Sequence, residues 1–181
     1  MVIGIDLDCT INNMMEKWIH RYNVDWNDNL KYEDVKVWEI DKYIKKESIK
    51  IFFSYLREKD FFFRGIDVQP NAKEGIQHLL NNGHTLYIVT AYVSESCYDK
   101  VRWLKQNFTC FDETNIIFCN NKGLLKLDAL IDDGLHNFLS FSGIKIIYTQ
   151  PWNTKYKGAS YRINDWKEIM DIKILNKNKE V

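Results

Sequence analysis

Two pairs of acidic residues follow apolar segments of this chain. Asp6 and Asp8 come at the end of the N-terminal apolar segment, and Asp132 and Asp133 follow a later one. Two carboxylates so close together repel each other unless a cation or a proton lies between them. Asp is also common in turns after strands, so either pair alone is weak evidence of a functional site. Together they favour one, because both follow segments typical of buried strands.

A threonine and a lysine occupy comparable positions after two further apolar segments. Thr90 ends the segment TLYIVT, and Lys122 follows NIIFC in an Asn-Asn-Lys-Gly turn. Alone, Thr90 could cap a helix and Lys122 could be a solvated cation. The carboxyl ends of parallel strands, however, meet at the edge of a sheet where open α/β proteins bind ligands. A hydroxyl and an ammonium group at this edge could hold the equatorial oxygens of a phosphoryl group.

These residue types suit phosphoryl transfer assisted by Mg²⁺. Magnesium takes carboxylate and carbonyl oxygens, together with phosphate and water. Asp6 offers a carboxylate, Asp8 a nearby backbone carbonyl, and one acid of the later pair completes the set. These residue types leave open whether Asp132 or Asp133 is that acid. The sequence therefore predicts a site for a divalent cation and a phosphate ester.

The elements that must position these residues are strands alternating with helices. Five apolar segments predict strands, at 1–7, 85–89, 115–119, 127–131 and 144–149. Apolar residues at helical spacing predict helices around 72–80 and 97–108, and a capping box at Asp165–Glu168 predicts another near the end. This alternation predicts an α/β fold with a Rossmann-like parallel sheet flanked by helices. The charged segment 173–181 is predicted to fray.

An α-helical insertion follows the first strand. Two amphipathic patterns occur there with no strand between them, one at Met15, Trp18, Ile19 and Tyr22, the other at Ile49, Phe52, Phe53 and Leu56. Residues 23–34 are polar and predict a connection. Residues 14–63 hold 12 of the 26 aromatic residues, which we interpret mainly as the insertion's own core. We expect a core of residues 1–13 and 66–181 and a helical cap of residues 14–65.

The composition excludes several classes of function. Lys and Arg total 25, Asp and Glu total 25, so the formal net charge is zero, which disfavours binding to a nucleic-acid polymer or an anionic membrane. None of the four cysteines forms a Cys-x-x-Cys pair, and the four histidines have no ligand spacing, which disfavours zinc. No apolar run reaches 18 residues and no signal peptide is recognisable, so we expect a cytoplasmic protein with no membrane partner.

In type and order, these motifs resemble those of the haloacid dehalogenase superfamily of phosphatases: Asp6-Leu-Asp8-Cys-Thr10, then Thr90, Lys122 and Asp132-Asp133. Response-regulator receiver domains use similar residues, but with the acidic pair first, so the order excludes them. The resemblance implies a haloacid dehalogenase-like core and a Mg²⁺-dependent phosphatase. It also implies roles for the two acids of the first motif. Asp6 would be the nucleophile that forms an aspartyl-phosphate, and Asp8 the general acid and base.

Within the superfamily, nearly the whole chain resembles the 5′(3′)-deoxyribonucleotidases. The resemblance is carried by Phe62-Phe63 before Pro70, Ile88-Val-Thr-Ala91, Asp99-Lys-Val-Arg-Trp103 and Asn164-Asp-Trp-Lys-Glu168, and by the spacing of Lys122 from Asp132-Asp133. It implies a nucleoside monophosphate as substrate and allows a homodimer. The implied ligands are Thr90, Ala91 and Lys122 for phosphate, Asp6, Asp8, Asp132 and Asp133 for the metal, and Trp38 and Met14 for the base. Of the later acidic pair, we favour Asp133 as the direct metal ligand, with Asp132 supporting it.

The chain departs from that family's pattern at a few positions. Cys9 replaces a small residue, and Ala91-Tyr92 replaces a Ser-Pro that follows the motif threonine, which leaves Tyr92 near the phosphate entrance. Met14 and Val37 stand where aromatic residues are usual, which indicates a differently shaped base pocket. Two alternatives therefore stay open. One is the same chemistry on another small phosphate ester such as a sugar phosphate, and the other is a non-catalytic nucleotide-binding relic.

Overall fold

Six parallel strands form the sheet in the computed structural model, which describes residues 1–176. They are β1 (Val2–Ile5), β2 (Thr85–Thr90), β3 (Ile116–Phe118), β4 (Ala129–Asp132), β5 (Ile144–Tyr148) and β6 (Tyr161–Ile163). All neighbouring pairs are parallel. The predicted parallel α/β fold is confirmed. The sequence pattern missed β6, because three residues with Arg162 in the middle are too short for a periodic signal.

The strand order, β3-β2-β1-β4-β5-β6, reverses direction between β1 and β4. After β1 the chain builds outward through β2 and β3, then returns to add β4 on the other side. Open α/β sheets bind ligands in the crevice at such a reversal, beyond the carboxyl ends of the strands. Ile5 is in register with Ile88 of β2 and Ile131 of β4. The residues that follow these three strands therefore emerge at the same level of one edge.

Within the described residues, four α-helices accompany the sheet: α1 (Met14–Trp26), α2 (Ile49–Ser54), α3 (Ala72–Asn81) and α4 (Cys97–Asn107). Helix α3 is followed by Gly83 at φ 74°, a left-handed conformation that glycine adopts without a steric cost. The predicted connection at 23–34 was wrong for residues 23–26, because α1 continues to Trp26 and ends where Asn27 becomes left-handed.

The C-terminal part differs from its predicted form in two ways. The helix expected after Asp165 is a 3₁₀ helix, Trp166–Asp171, whose first turn Asp165 caps by accepting from the Lys167 amide. The segment expected to fray contains a 3₁₀ turn, Lys173–Leu175, and Leu175 is fully buried. The prediction was therefore wrong for residues 173–176, because one apolar side chain holds that turn to the core. The rest of that segment, 177–181, lies outside the described residues.

The insertion between β1 and β2 packs around aromatic rings. The Trp18 ring stacks on Phe52 with centroids 4.1 Å apart, and Tyr22 and Tyr55 are buried beside them. Most of the aromatic excess is thus the insertion's own core. Phe53 differs from its predicted inward position, since it is 44% exposed and lines a cavity facing the sheet. The short α2 helix presents only Phe52 fully to the interior.

Two adjacent connecting segments join the insertion to the sheet. Asn12 and Val68 form an antiparallel bridge, so the outgoing and returning segments pair with each other. The indole N–H of Trp166 donates to the Thr10 carbonyl, and that of Trp103 donates to the Ile66 carbonyl, each at 2.8 Å. These bonds anchor both segments to the core. Within residues 1–176, no helix is long and apolar enough to cross a membrane.

Candidate active site

Three carboxylates meet where the strand order reverses. Asp6 directly follows β1, Asp132 is the last residue of β4, and Asp133 comes next. All three are buried, and a carboxylate oxygen from each lies within 4.8 Å of the others. Lys122, from the turn after β3, forms ion pairs with Asp6 and, at 2.6 Å, with Asp132. The structure thus brings together four of the residues predicted from the sequence.

This buried cluster holds more negative than positive charge. Burial, together with Asp132 and Asp8, raises the pKa of Asp6 from 3.8 to about 7, although Lys122 acts in the opposite direction. Burial, together with Asp6 and Asp132, raises the pKa of Asp133 well above its ordinary value. Three acids with one lysine leave an excess of negative charge that a divalent cation would offset. The oxygen donors also fit a hard cation such as Mg²⁺.

The two acids of the later pair differ in how fully their oxygens are occupied. Asp132 accepts from Lys122, from the Gly134 amide at 2.7 Å and from the Asn137 amide group, which reaches both oxygens at 3.0 Å. A carboxylate has about four acceptor positions, so Asp132 is saturated. Among residues 1–176, only two neutral donors reach the Asp133 carboxylate, the Thr10 hydroxyl at 3.1 Å and the Trp152 indole at 3.0 Å. Asp133 therefore keeps acceptor capacity for a cation.

Asp8 lies apart from the three-acid cluster and has a different partner. Its Oδ2 forms an ion pair with the Lys100 Nζ at 2.6 Å, and its Oδ1 accepts from the Asn12 side chain at 3.3 Å. The Asp8 side chain keeps 17% of its surface exposed, whereas that of Lys100 keeps 2%. Asp6 and Asp8 thus face different surroundings. Asp6 shares Lys122 with Asp132, whereas Asp8 pairs with a different lysine, Lys100. Two carboxylates in contrasting environments are suited to different catalytic roles.

Two of the predicted phosphate ligands, Ala91 and Lys122, line the same cavity as these acids, and the Thr90 hydroxyl contacts Asp8 and Lys100 on its wall. Thr90 is buried at the end of β2, Ala91 follows it on the cavity wall, and Lys122 lies beside Asp6. The backbone amide of Tyr92 donates to the Asn120 side chain at 2.7 Å, which ties the loop after β2 to the loop after β3. The Lys122 ammonium group therefore lies beside Asp6, and the Thr90 hydroxyl lies beside Asp8.

The cavity above the acids has a volume of about 390 Å³ and a largely aromatic upper wall. Its lining includes both predicted base-pocket residues, the buried Met14 and the 46% exposed Trp38. The Trp38 ring lies 5.5 Å from the His136 ring and 5.7 Å from Trp152, centroid to centroid. Such a volume suits a small organic ligand, and exposed aromatic faces suit a planar one.

Sequence reasoning assigned no role to two residues of this site. Lys100 contacts Asp8, and it could have been noticed because it lies on the same helical face as Cys97 and Leu104, where a charged residue needs a partner. Trp152 links Asp133 to Trp38, and its loop position after β5 gave no comparable signal. The contacts of both residues depend on segments that are distant in sequence.

Comparisons with known proteins identify relatives over nearly the whole chain. Residues 1–179 match the profile of the family described as 5′ nucleotidase, deoxy (pyrimidine), cytosolic type C. A 5′(3′)-deoxyribonucleotidase of Clostridium acetobutylicum is 40% identical over 166 residues, which cover 92% of this chain and 91% of the relative. A 5′(3′)-deoxyribonucleotidase of Bacillus subtilis is 30% identical over 171 residues, covering 93% and 95%.

Solved structures with little sequence identity share the fold. A haloacid dehalogenase family hydrolase from Deinococcus radiodurans superposes with a TM-score of 0.60 at 10% identity, covering 93% of this chain and 92% of the other. A conserved haloacid dehalogenase-like protein from Agrobacterium tumefaciens superposes with a TM-score of 0.62 at 11% identity, covering 96% and 97%. These matches confirm the haloacid dehalogenase-like fold expected from the motif order.

Proposed function

The chain belongs to the cytosolic type C family of deoxy (pyrimidine) 5′ nucleotidases and is a phosphoric monoester hydrolase, and from this premise we propose its substrate and mechanism. The substrates are deoxyribonucleoside or ribonucleoside monophosphates, and the products are the nucleoside and phosphate. The reaction uses Mg²⁺ and proceeds through an aspartyl-phosphate on Asp6. The observation that carries this proposal is the buried Asp6, Asp132, Asp133 and Lys122 cluster at the floor of an aromatic cavity.

The metal would be held by the carboxylates of Asp6 and Asp133 and by the backbone carbonyl of Asp8. When bound, it supplies positive charge against the carboxylates and the phosphoryl oxygens. Lys122 already offsets part of this charge through its ion pairs with Asp6 and Asp132. One of its three N–H groups is not used by these two bonds and can reach a phosphoryl oxygen. Asp132 keeps Lys122 in place and leaves the direct contact to Asp133.

The reaction divides into two displacements at phosphorus. An oxygen of Asp6 attacks the phosphorus atom, the bond from phosphorus to the ester oxygen breaks, and Asp8 donates its proton to that oxygen, so the nucleoside leaves as an alcohol. Asp8, now ionised, takes a proton from a water molecule that attacks the phosphorus of the aspartyl-phosphate. The bond to Asp6 breaks, phosphate is released, and both acids return to their starting forms.

The upper part of the cavity supports a nucleoside as the leaving group. Trp38 presents an exposed ring at the cavity wall, and stacking on such a ring is worth about 1–3 kcal/mol per base. Residues 14–65 would act as a cap that supplies this wall above the catalytic edge of the sheet. A cytoplasmic location and a homodimer stay predictions.

A substrate panel tests this assignment. The purified protein is assayed with deoxyribonucleotides, ribonucleotides and sugar phosphates, with EDTA and then with added Mg²⁺. We expect nucleoside monophosphates to have the highest kcat/KM, EDTA to abolish turnover and Mg²⁺ to restore it. A sugar phosphate with the highest kcat/KM would refute the nucleotide assignment and favour the alternative ester. No turnover of any ester would favour the nucleotide-binding relic.

Asp6→Asn tests the covalent intermediate. This variant should fold, and it should lose turnover because an amide cannot attack phosphorus as a carboxylate does. Rapid denaturation of the wild-type protein during turnover of a radiolabelled phosphate ester should leave acid-stable, base-labile label on the chain, and the variant should carry none. Normal turnover by Asp6→Asn would refute the aspartyl-phosphate.

A further inference from the structure

Lys100 is a buried lysine whose contacts all lie at the catalytic edge of the sheet. It stands in the first turn of α4, and its side chain is 2% exposed. Its Nζ donates to Asp8 Oδ2 at 2.6 Å, to the Thr90 hydroxyl oxygen at 2.9 Å and to the Ala91 carbonyl at 3.2 Å. The Phe62 ring closes the remaining side, with its centroid 4.7 Å from Nζ. A buried ammonium group so fully surrounded has a fixed position.

The number of its bonds distinguishes Lys100 from Lys122. A lysine ammonium group has three N–H donors. Lys122 uses two within the described residues 1–176, on Asp6 and Asp132, and keeps one for a phosphoryl oxygen. Lys100 uses all three on protein oxygens. Lys100 therefore has no donor left for a phosphate group, and its action must pass through the groups that it holds.

We propose that Lys100 is a positioning residue that holds the Asp8 carboxylate for proton transfer to the leaving group. This inference rests on the proposed function, in which Asp8 protonates the ester oxygen. Because Oδ2 of Asp8 carries the short bond from Lys100, the proton transfer falls to Oδ1. In the part of the chain that the structure describes, that oxygen carries only the longer 3.3 Å bond from Asn12. Lys100 and Asn12 thus hold the carboxylate from its two sides.

The same lysine orients a phosphate ligand. Thr90 Oγ1 accepts from Lys100, so the hydroxyl hydrogen points away from Nζ. This hydroxyl makes a long bond of 3.5 Å to Asp8 Oδ2, which it can exchange for a bond to a phosphoryl oxygen. The third bond, to the Ala91 carbonyl, holds the backbone that follows Thr90. One ammonium group therefore contacts both the general acid, Asp8, and the loop that would bind the phosphate. These contacts fix the distance between the proton donor and the phosphoryl group.

The dependence of the rate on the leaving group tests this role. A nucleoside oxygen needs a proton to leave, whereas p-nitrophenolate leaves without one. The assay compares kcat/KM for a deoxyribonucleotide and for p-nitrophenyl phosphate, since this parameter does not include the later water attack. Lys100→Met should lower kcat/KM about 100-fold for the nucleotide, in the range of general acid catalysis. It should lower the value for p-nitrophenyl phosphate less than about tenfold, because only phosphate orientation by Thr90 is disturbed.

Two further variants separate positioning from folding. Lys105→Met removes an exposed lysine from the same helix, one that pairs with Glu113 at the surface, and should leave both values unchanged. Lys100→Arg keeps the positive charge and should recover part of the nucleotide activity. Thermal unfolding of each variant shows that the comparison is made on folded protein.

A double-mutant cycle with Asp8→Asn completes the test. If Lys100 acts through Asp8, adding Lys100→Met to Asp8→Asn should change nucleotide kcat/KM by no more than it changes that of p-nitrophenyl phosphate. Equal losses for both substrates in Lys100→Met, or full additivity in the cycle, would overturn the proposal. Failure of the proposed function would look different, because the wild-type protein itself would then hydrolyse no nucleotide.

Discussion

Replacing Asp6 with Asn should stabilise the metal-free protein at alkaline pH, even though it abolishes turnover. Asp6 is buried beside Asp132 and Asp8, and these surroundings raise its pKa from 3.8 to about 7 despite the attraction of Lys122. The folded protein therefore binds a proton at Asp6 more tightly than the unfolded chain does. Between about pH 4 and pH 7 the folded state carries more protons, so wild-type stability falls as the pH rises through this window.

The shift sets the size of the effect. About three pH units at about 1.4 kcal/mol per unit give a penalty of about 4 kcal/mol once Asp6 is ionised in both states, near pH 8. An asparagine side chain has nearly the same shape and does not titrate, so the variant escapes this penalty. At about pH 5 the folded wild-type protein keeps Asp6 protonated, and the difference should shrink to about 2 kcal/mol.

Urea unfolding in EDTA measures this difference. Wild type, Asp6→Asn and the control Asp41→Asn, which alters an exposed aspartate, are unfolded at about pH 5 and about pH 8. The free energy of unfolding of Asp6→Asn should exceed that of wild type by about 4 kcal/mol at the higher pH, equivalent to roughly 10 °C in Tm. Added Mg²⁺ should stabilise wild type more than Asp6→Asn.

Two results would refute this reasoning. If Asp6→Asn were less stable than wild type at about pH 8 in EDTA, the ion pair with Lys122 would outweigh burial and the neighbouring acids. If the stability difference were the same at both pH values, Asp6 would not titrate between them. Asp41→Asn should track wild type throughout, so a similar pH dependence in this control would show that the effect is not specific to the buried cluster.

Three further predictions concern the cavity, the metal and the loop that carries Lys122. Trp38→Ala should lower kcat/KM about tenfold or more for nucleotides and little for p-nitrophenyl phosphate, as about 1–3 kcal/mol of stacking implies; equal losses would make Trp38 only a packing residue. Asp133→Asn should raise the Mg²⁺ concentration for half-maximal activity more than Asp132→Asn does, because Asp132 is already saturated by protein donors; the reverse order in a Mg²⁺ titration would exchange their roles. Gly123→Ala should lower kcat and Tm together, because its Cβ would lie 2.8 Å from the Ser140 carbonyl oxygen and force the loop to shift; unchanged kcat and Tm would show that the loop adapts.

The sequence was sufficient to predict the sheet and the acids at its edge. Apolar runs are local features, and they located five of the six strands; two of these runs end in acidic residues, which located Asp6 and the Asp132–Asp133 pair. Helical spacing located α1, α3 and α4 in the same way. These predictions succeeded because a buried strand or an amphipathic helix must show its burial in its own residue order.

The hydrophobic pattern predicted local structure less reliably where tertiary packing overrode the intrinsic preference of a segment. Phe53 has an inward spacing but lines the cavity, and the expected C-terminal helix is a 3₁₀ helix. Strand β6 was missed because three residues contain no period. In each case the outcome depends on what packs against the segment, which local spacing does not encode.

Only the tertiary structure decided which charged groups act on each other. Asp6 and Asp8 are two residues apart in the sequence, yet in the folded protein they form ion pairs with different lysines. Asp6 pairs with Lys122 from the turn after β3, and Asp8 pairs with Lys100 from α4. It also separates Asp132 from Asp133, since one is saturated by Lys122, Gly134 and Asn137 while the other is not. The strength of an electrostatic interaction depends on distance and burial rather than on separation along the chain. The types of side chain therefore predicted the site, whereas their proximity in three dimensions determined which acid pairs with which lysine and which acid keeps acceptor capacity for a metal.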